Sequence, residues 1–224
     1  MKHLLALLLF FQFSALCAQQ NPYGLAIIST KQEYLKSVAK DPNKALVDIK
    51  RAVPGVVLDI RYATKNNFMK QVMYPSARAF ARRPVVEQLK KIQAQLKKKG
   101  YGLVIYDAYR PYAITVAFYQ KASDKNFVAH PKSGSRHNRG CAVDLSIIDL
   151  KTGKAVPMPT PYDSFSAAAA ADYQDLAPAI KKNRDFLINV MQQHGFRVMY
   201  NEWWHYDFKD WEKYELLDIP FQKL

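Results

Sequence analysis

Cysteine is nearly missing from this chain. Of 224 residues, two are cysteine: Cys17 and Cys141. Cys17 lies in a leader-like segment, so no internal disulfide is expected and the fold must rest on its core. A composition of 49% hydrophobic and 13% aromatic residues supplies one. Low-complexity tracts and internal repeats are absent, and the length suits a single globular domain. Acidic residues are scarce: 19 Asp and Glu stand against 33 Lys and Arg, a net charge of +14. Many lysines fall on helix faces, as in Lys90-Lys91 and Lys97-Lys98-Lys99. The plain reading is a solvated basic surface; the sharper one is attraction to anionic envelope polymers. No nucleic-acid-binding motif accompanies the charge, so no nucleic-acid partner is expected.

One apolar run stands out. Leu4 to Phe11 follows Met1-Lys2-His3 and precedes Gln12, Ser14, Ala15 and Ala18. The run is shorter than the ~20 residues of a spanning helix. A basic start, a short apolar stretch and a small-residue site read as a secretory signal peptide over residues 1–18, cut near Ala18. Residues 19–224 then form one domain of net charge +13, with no membrane anchor and a periplasmic or secreted location. Leu16 is a poor neighbour for a lipidated Cys17. Cys141 becomes the sole cysteine, and its apolar setting predicts an inert, packed thiol.

The coarse pattern mixes helices and strands without regular alternation. Helices are expected around Gln32–Ala39, from Pro84 to Gly100, from Tyr112 to Ala122 and from Pro178 to His194. Strands are expected at Val56–Tyr62, Leu103–Tyr106, Cys141–Ile148 and Phe196–Tyr200, the last running on to Phe208. Residues 151–175, rich in Pro and Ala, read as loop. This predicts an α+β fold: one domain, helices packed on a central, mainly antiparallel sheet.

Asp144 interrupts one of those apolar strands. Burying even a neutral polar group without a partner costs ~2–7 kcal/mol. A carboxylate there requires a cation or several donors. His137 precedes the same strand, and His205 lies in a second apolar strand three residues after Glu202. Two histidines and an aspartate make a three-ligand site with a position left for water, the pattern of catalytic zinc. Glu202 then suits a general base. The bland alternative is a pair of hydrogen-bonded core histidines, because each spacing alone is weak. Residues three apart in a regular strand also point to opposite faces. Glu202 and His205 converge only through a bulge, a bend or different depths in a cleft.

The run Ser135-Arg136-His137-Asn138-Arg139-Gly140-Cys141-Ala142-Val143-Asp144 resembles the zinc motif Ser-x-His-x-x-Gly-x-Ala-x-Asp of the D-Ala-D-Ala peptidases. Glu202-Trp203-Trp204-His205 resembles its second half. Further blocks resemble the D-alanyl-D-alanine dipeptidases of the vancomycin-resistance type. These are Arg61-Tyr62-Ala63-Thr64 with Asn67-Phe68, Asp107-Ala108-Tyr109-Arg110-Pro111, and Val156-Pro157-Met158 with Tyr162-Asp163. They follow the family order over about residues 50–208, and as a set they are specific.

The resemblance implies one zinc ion held by His137, Asp144 and His205, in a cleft on the sheet. It implies Glu202 as general base and later proton donor, and Arg110 as stabiliser of the oxyanion. Tyr62 and Asp163 match positions that receive the substrate ammonium. Ser135 matches one that helps hold the C-terminal carboxylate. The implied reaction is hydrolysis of D-Ala-D-Ala to two D-alanines. Plainer roles exist for three of these: an ion pair with Asp107 for Arg110, a loop cap for Asp163, core packing for Tyr62. Resistance enzymes of this type act in the cytoplasm, whereas this chain has an export-like leader. Wall turnover or D-alanine scavenging is therefore the expected setting. Two alternatives stay open. A zinc D,D-carboxypeptidase trimming wall peptides would need a longer cleft and no ammonium site. A non-catalytic wall-binding module would be expected to lack Glu202 or Arg110, and both are present.

Overall fold

The computed structural model describes residues 21 and 23–224, so the segment 1–18, expected to be a signal peptide, lies outside the described residues. Helices form where the apolar spacing predicts them. The chain opens with β1 (Ile27–Ile28), then α1 (Lys31–Lys40), whose Thr30 and Glu33 close a capping box. Next come β2 (Leu46–Asp48), α2 (Ile49–Ala52), β3 (Val57–Leu58) and β4 (Phe80–Arg82). Helix α3 (Arg83–Lys97) has Pro84 in its first turn and buries Val85, Leu89, Ile92 and Leu96 on one stripe. Gly100, at φ +82°, ends the segment in a conformation costly for other residues. Strand β5 (Tyr101–Asp107), α4 (Tyr112–Lys121) and β6 (Ala142–Asp149) follow. Helix α5 (Pro178–Gln193), β7 (Phe196–Met199), β8 (Glu202–Phe208) and β9 (Leu216–Leu217) complete the chain.

The central sheet has five strands in the order β3-β5-β6-β8-β7. Only the β3–β5 pair is parallel. The α+β, mainly antiparallel expectation holds. Alternation along the strands divides the sheet's two faces. Val143 pairs with Tyr206, and Tyr206 lies beside Arg184 of α5 on the helix-covered face. Helices α3 and α5 meet through Gln95 and Gln193 at 2.9 Å. Asp144 pairs with His205 and falls on the opposite face. The sheet thus buries its hydrocarbon on one side and presents two of the predicted ligands, already in register, on the other.

One local reading changes. The strand expected over Val56–Tyr62 shortens to Val57–Leu58, and Arg61–Ala63 form one 3₁₀ turn. Tyr62 is drawn out of the sheet because its carbonyl accepts from the Met73 and Tyr74 amides at 2.8 and 2.9 Å. Asn67 fastens the same turn by donating to the carbonyls of Arg61, Thr64 and Gln71. The short pairs β1–β9 and β2–β4 carry no local signal, since each strand is fixed by a distant partner. Cys141 is fully buried, and burial pushes its thiol up to about 12, so it is unreactive.

Candidate metal and active site

His137 sits in a one-turn 3₁₀ helix, residues 137–139, just before β6. Its carbonyl accepts from the Arg110 amide at 3.1 Å, which seats the turn on the segment after β5. Gly140, at φ +68°, reverses the chain into the strand; a Cβ there would lie 2.7 Å from Leu46. Asn138 is fully buried and ties three groups. Its amide nitrogen donates to the Arg110 carbonyl at 2.9 Å and to Thr115 Oγ1 at 2.8 Å. Its oxygen accepts from the Ser135 amide at 2.7 Å.

His205 comes from β8, directly opposite Asp144 of β6. The problem of Glu202 and His205 is solved by a bulge. Between Val198↔Tyr206 and Met199↔Glu202, one step along β7 matches four along β8. The irregular stretch turns Glu202 back toward His205, with Oε2 3.8 Å from Nδ1.

His137, Asp144 and His205 are all buried. His137 Nε2 lies 3.1 Å from His205 Nδ1 and 3.3 Å from Asp144 Oδ1; His205 Nδ1 lies 3.0 Å from the same oxygen. Tetrahedral ligands at ~2.0–2.1 Å from zinc would stand ~3.3 Å apart, so the triangle has the right edges. The outer atoms settle the chemistry. His137 Nδ1 donates to the Ala108 carbonyl at 2.7 Å, and His205 Nε2 donates to Asp207 at 2.9 Å. Each inner nitrogen therefore presents a lone pair. Asp144 Oδ1 is buried and has no hydrogen-bond partner among the described residues. Three lone-pair atoms facing one another require a cation. Without a metal a proton serves: burial opposes charge on His205, but Asp144 and Asp207 outweigh it and lift the imidazole to about 10. A divalent ion displaces that proton. The donor set, two imidazoles and a carboxylate, fits zinc.

Around this centre lies a cavity of about 190 Å³. Tyr62, Arg110, Ser135, Asp163 and Glu202 all line it, so every predicted site residue reaches the same cleft. Arg110 is buried; its Nε and Nη2 donate to Asp107 Oδ2 at 3.0 and 2.7 Å. The guanidinium also lies 4.6 Å from the Phe118 ring centroid and 5.5 Å from that of Tyr62. The ion pair with Asp107 exists, but it holds Arg110 in the cleft rather than on the surface. Ser135 Oγ accepts from the His137 amide at 3.2 Å. Asp163 adopts φ +61°, a backbone that Asp tolerates better than most residues. Its Oδ1 accepts from Tyr62 at 3.1 Å, while Oδ2 is shut from solvent with no partner among the described residues. Burial, and then the charge of Asp144, push this carboxyl well above its usual range. Burial also lifts Glu202 to about 7.

A family model described as "D-ala-D-ala dipeptidase", of the M15 peptidases, matches residues 42–222. The chain belongs to that family. The M15 dipeptidases are metallopeptidases that use zinc, and the buried His137, Asp144, His205 group could hold such an ion. Similar curated proteins carry the name D-alanyl-D-alanine dipeptidase. That of Escherichia coli K12 is 31% identical, with 79% of this chain and 91% of the relative aligned. That of Enterococcus faecium is 30% identical, over 70% and 88%. That of Enterococcus faecalis V583 is 29% identical, over 75% and 89%. A solved LD-carboxypeptidase aligns at a TM-score of 0.40 and 18% identity over 72% of each chain, a likeness too slight to carry an argument.

Several contacts of the site were not legible in the sequence. Asp207 orients His205 and lies 3.6 Å from Arg136 Nε. The Ala108 carbonyl sets the tautomer of His137. Tyr162 donates to Asp144 Oδ2 at 3.0 Å. The spacing His205-x-Asp207 could have suggested the first; the other two come from distant loops and leave no spacing signal.

Proposed function

We propose that this protein hydrolyses free D-Ala-D-Ala to two D-alanines. The observation that carries the reading is the vacant hydrogen-bonding capacity of Asp163 Oδ2 in so small a cleft. A buried carboxylate oxygen without a donor suits an ammonium. The cavity is below the ~300–1,000 Å³ usual for drug-sized ligands, which suits a dipeptide. Phe68, Phe118, Phe127 and Phe165 line the same cavity, leaving little room for a chain that continues past the amino end.

His137, Asp144 and His205 would hold the zinc ion, which would supply Lewis acidity for the hydrolysis. Glu202 takes a proton from the attacking water and passes it to the departing amine as the C–N bond breaks. A carboxyl near 7 is suited to both transfers at neutral pH. Arg110, with Nε and Nη2 held by Asp107, keeps Nη1 for the charge that develops on the carbonyl oxygen. Ser135 Oγ already accepts from a backbone amide, so its proton is free for the C-terminal carboxylate. Tyr62 and Asp163 receive the ammonium. Export through residues 1–18 would place this activity outside the cytoplasm, on dipeptide released by wall turnover, with scavenging of D-alanine as the outcome.

A product assay tests the reading. Zinc-loaded protein should release D-alanine from the free dipeptide and almost none from a pentapeptide ending in D-Ala-D-Ala. Equal release from both would make it a D,D-carboxypeptidase.

A further inference from the structure

Tyr162 stands between the two halves of the site. Its hydroxyl donates to Asp144 Oδ2 at 3.0 Å, which leaves Oδ1 alone facing the two histidines. Its backbone leads directly into Asp163, the residue with φ +61° and the unpartnered carboxylate oxygen. The ring is stacked on Tyr106, centroids 4.7 Å apart at 22°, and meets Trp204 edge-on at 5.6 Å. Ring packing therefore fixes where the hydroxyl points. The surrounding segment has no helix or strand to hold it between the Ala155 bridge and the turn at 167–169.

From this we infer that Tyr162 is a positioning residue with two linked tasks. It makes Asp144 a one-oxygen ligand, and it anchors the turn that presents Asp163 to substrate. A carboxylate free to rotate about its Cβ–Cγ bond must be ordered when metal binds; one already held through Oδ2 is not. Hydrogen-bonded partners of metal ligands are typically worth ~10–100-fold in metal affinity. The same bond reports the state of the ligand to the neighbouring residue. Any coupling through this bond between zinc and an ammonium-bearing ligand is equal in both directions. The second task rests on the dipeptidase reading; the first does not.

The test is Tyr162→Phe, which keeps the ring and removes one oxygen. Zinc affinity, measured by competition with a chromophoric chelator, should fall ~10–100-fold. The zinc-free variant should keep the wild-type circular dichroism spectrum while melting a few degrees lower, because Asp144 Oδ2 loses its donor; an intact spectrum separates loss of the bond from loss of the fold. At saturating zinc, KM for D-Ala-D-Ala should rise several-fold with kcat little changed, because the variant disturbs Asp163 rather than the reacting groups. Zinc affinity within twofold of wild type would overturn the ligand role. Weakened zinc binding with an unchanged KM would overturn the link to Asp163. The chelator measurement involves no peptide, so it stands even if the substrate is some other molecule.

Discussion

Glu202→Gln is expected to keep its zinc and lose nearly all turnover, with kcat falling by ~10²–10⁴, the range for removal of a general acid–base group. The substitution preserves shape and hydrogen-bonding reach but cannot accept a proton. Glu202 is not among the three atoms that face one another at 3.0–3.3 Å; its nearest oxygen is 3.8 Å from His205 Nδ1. Metal content and catalysis should therefore separate. Because the loss is in proton transfer, KM should change little while kcat falls. Elemental analysis beside steady-state rates checks this. A variant within a few-fold of wild-type kcat would remove Glu202 from the proton pathway.

His205→Ala should remove metal and activity together. The substitution deletes one of three ligands and leaves Asp144 Oδ1 facing a single imidazole in a buried space. It also frees Asp207, whose carboxylate is held below its usual range because its bonds and charge pairing, His205 first among them, outweigh burial. In the wild type, added zinc should raise the melting temperature, since a ligand that binds only the folded state stabilises it. In the variant the same addition should give no shift. Stoichiometric zinc in His205→Ala, or an undiminished thermal shift, would take His205 out of the metal centre.

The parts of this site carried by strands were readable in advance. Asp144 announced itself as a carboxylate in an apolar run, and His205 as a histidine in an aromatic one; the register Asp144↔His205 then brought them together. Helices α3 and α5 were equally plain, because each has a proline at its start, an apolar stripe and a glycine beyond its end. What stayed hidden depends on contacts that no spacing records. The β8 bulge that turns Glu202 toward His205 is set by pairing with β7. Tyr62 looked like part of a strand, and only the amides of Met73 and Tyr74 reveal why it leaves one. At the end of α5, His194 bonds Gln95 at 2.7 Å, and burial, with Lys91 nearby, lowers its pKa.

The most direct measurement is the ratio of kcat/KM for D-Ala-D-Ala to that for its N-acetyl derivative, on the zinc-loaded protein. Acetylation removes the ammonium, adds bulk at the amino end and changes nothing at the scissile bond. Asp163 without an ammonium takes up a proton, as its burial favours, so the ~3–5 kcal/mol of an unpaired buried carboxylate is an upper value. At ~1.4 kcal/mol per tenfold, the free dipeptide should be preferred by roughly ten- to a hundredfold. Asp163→Ala should shrink the ratio by slowing the free dipeptide, not by improving the acetylated one. A wild-type ratio near one would contradict an ammonium site at Asp163, and with it the assignment of a free dipeptide as substrate.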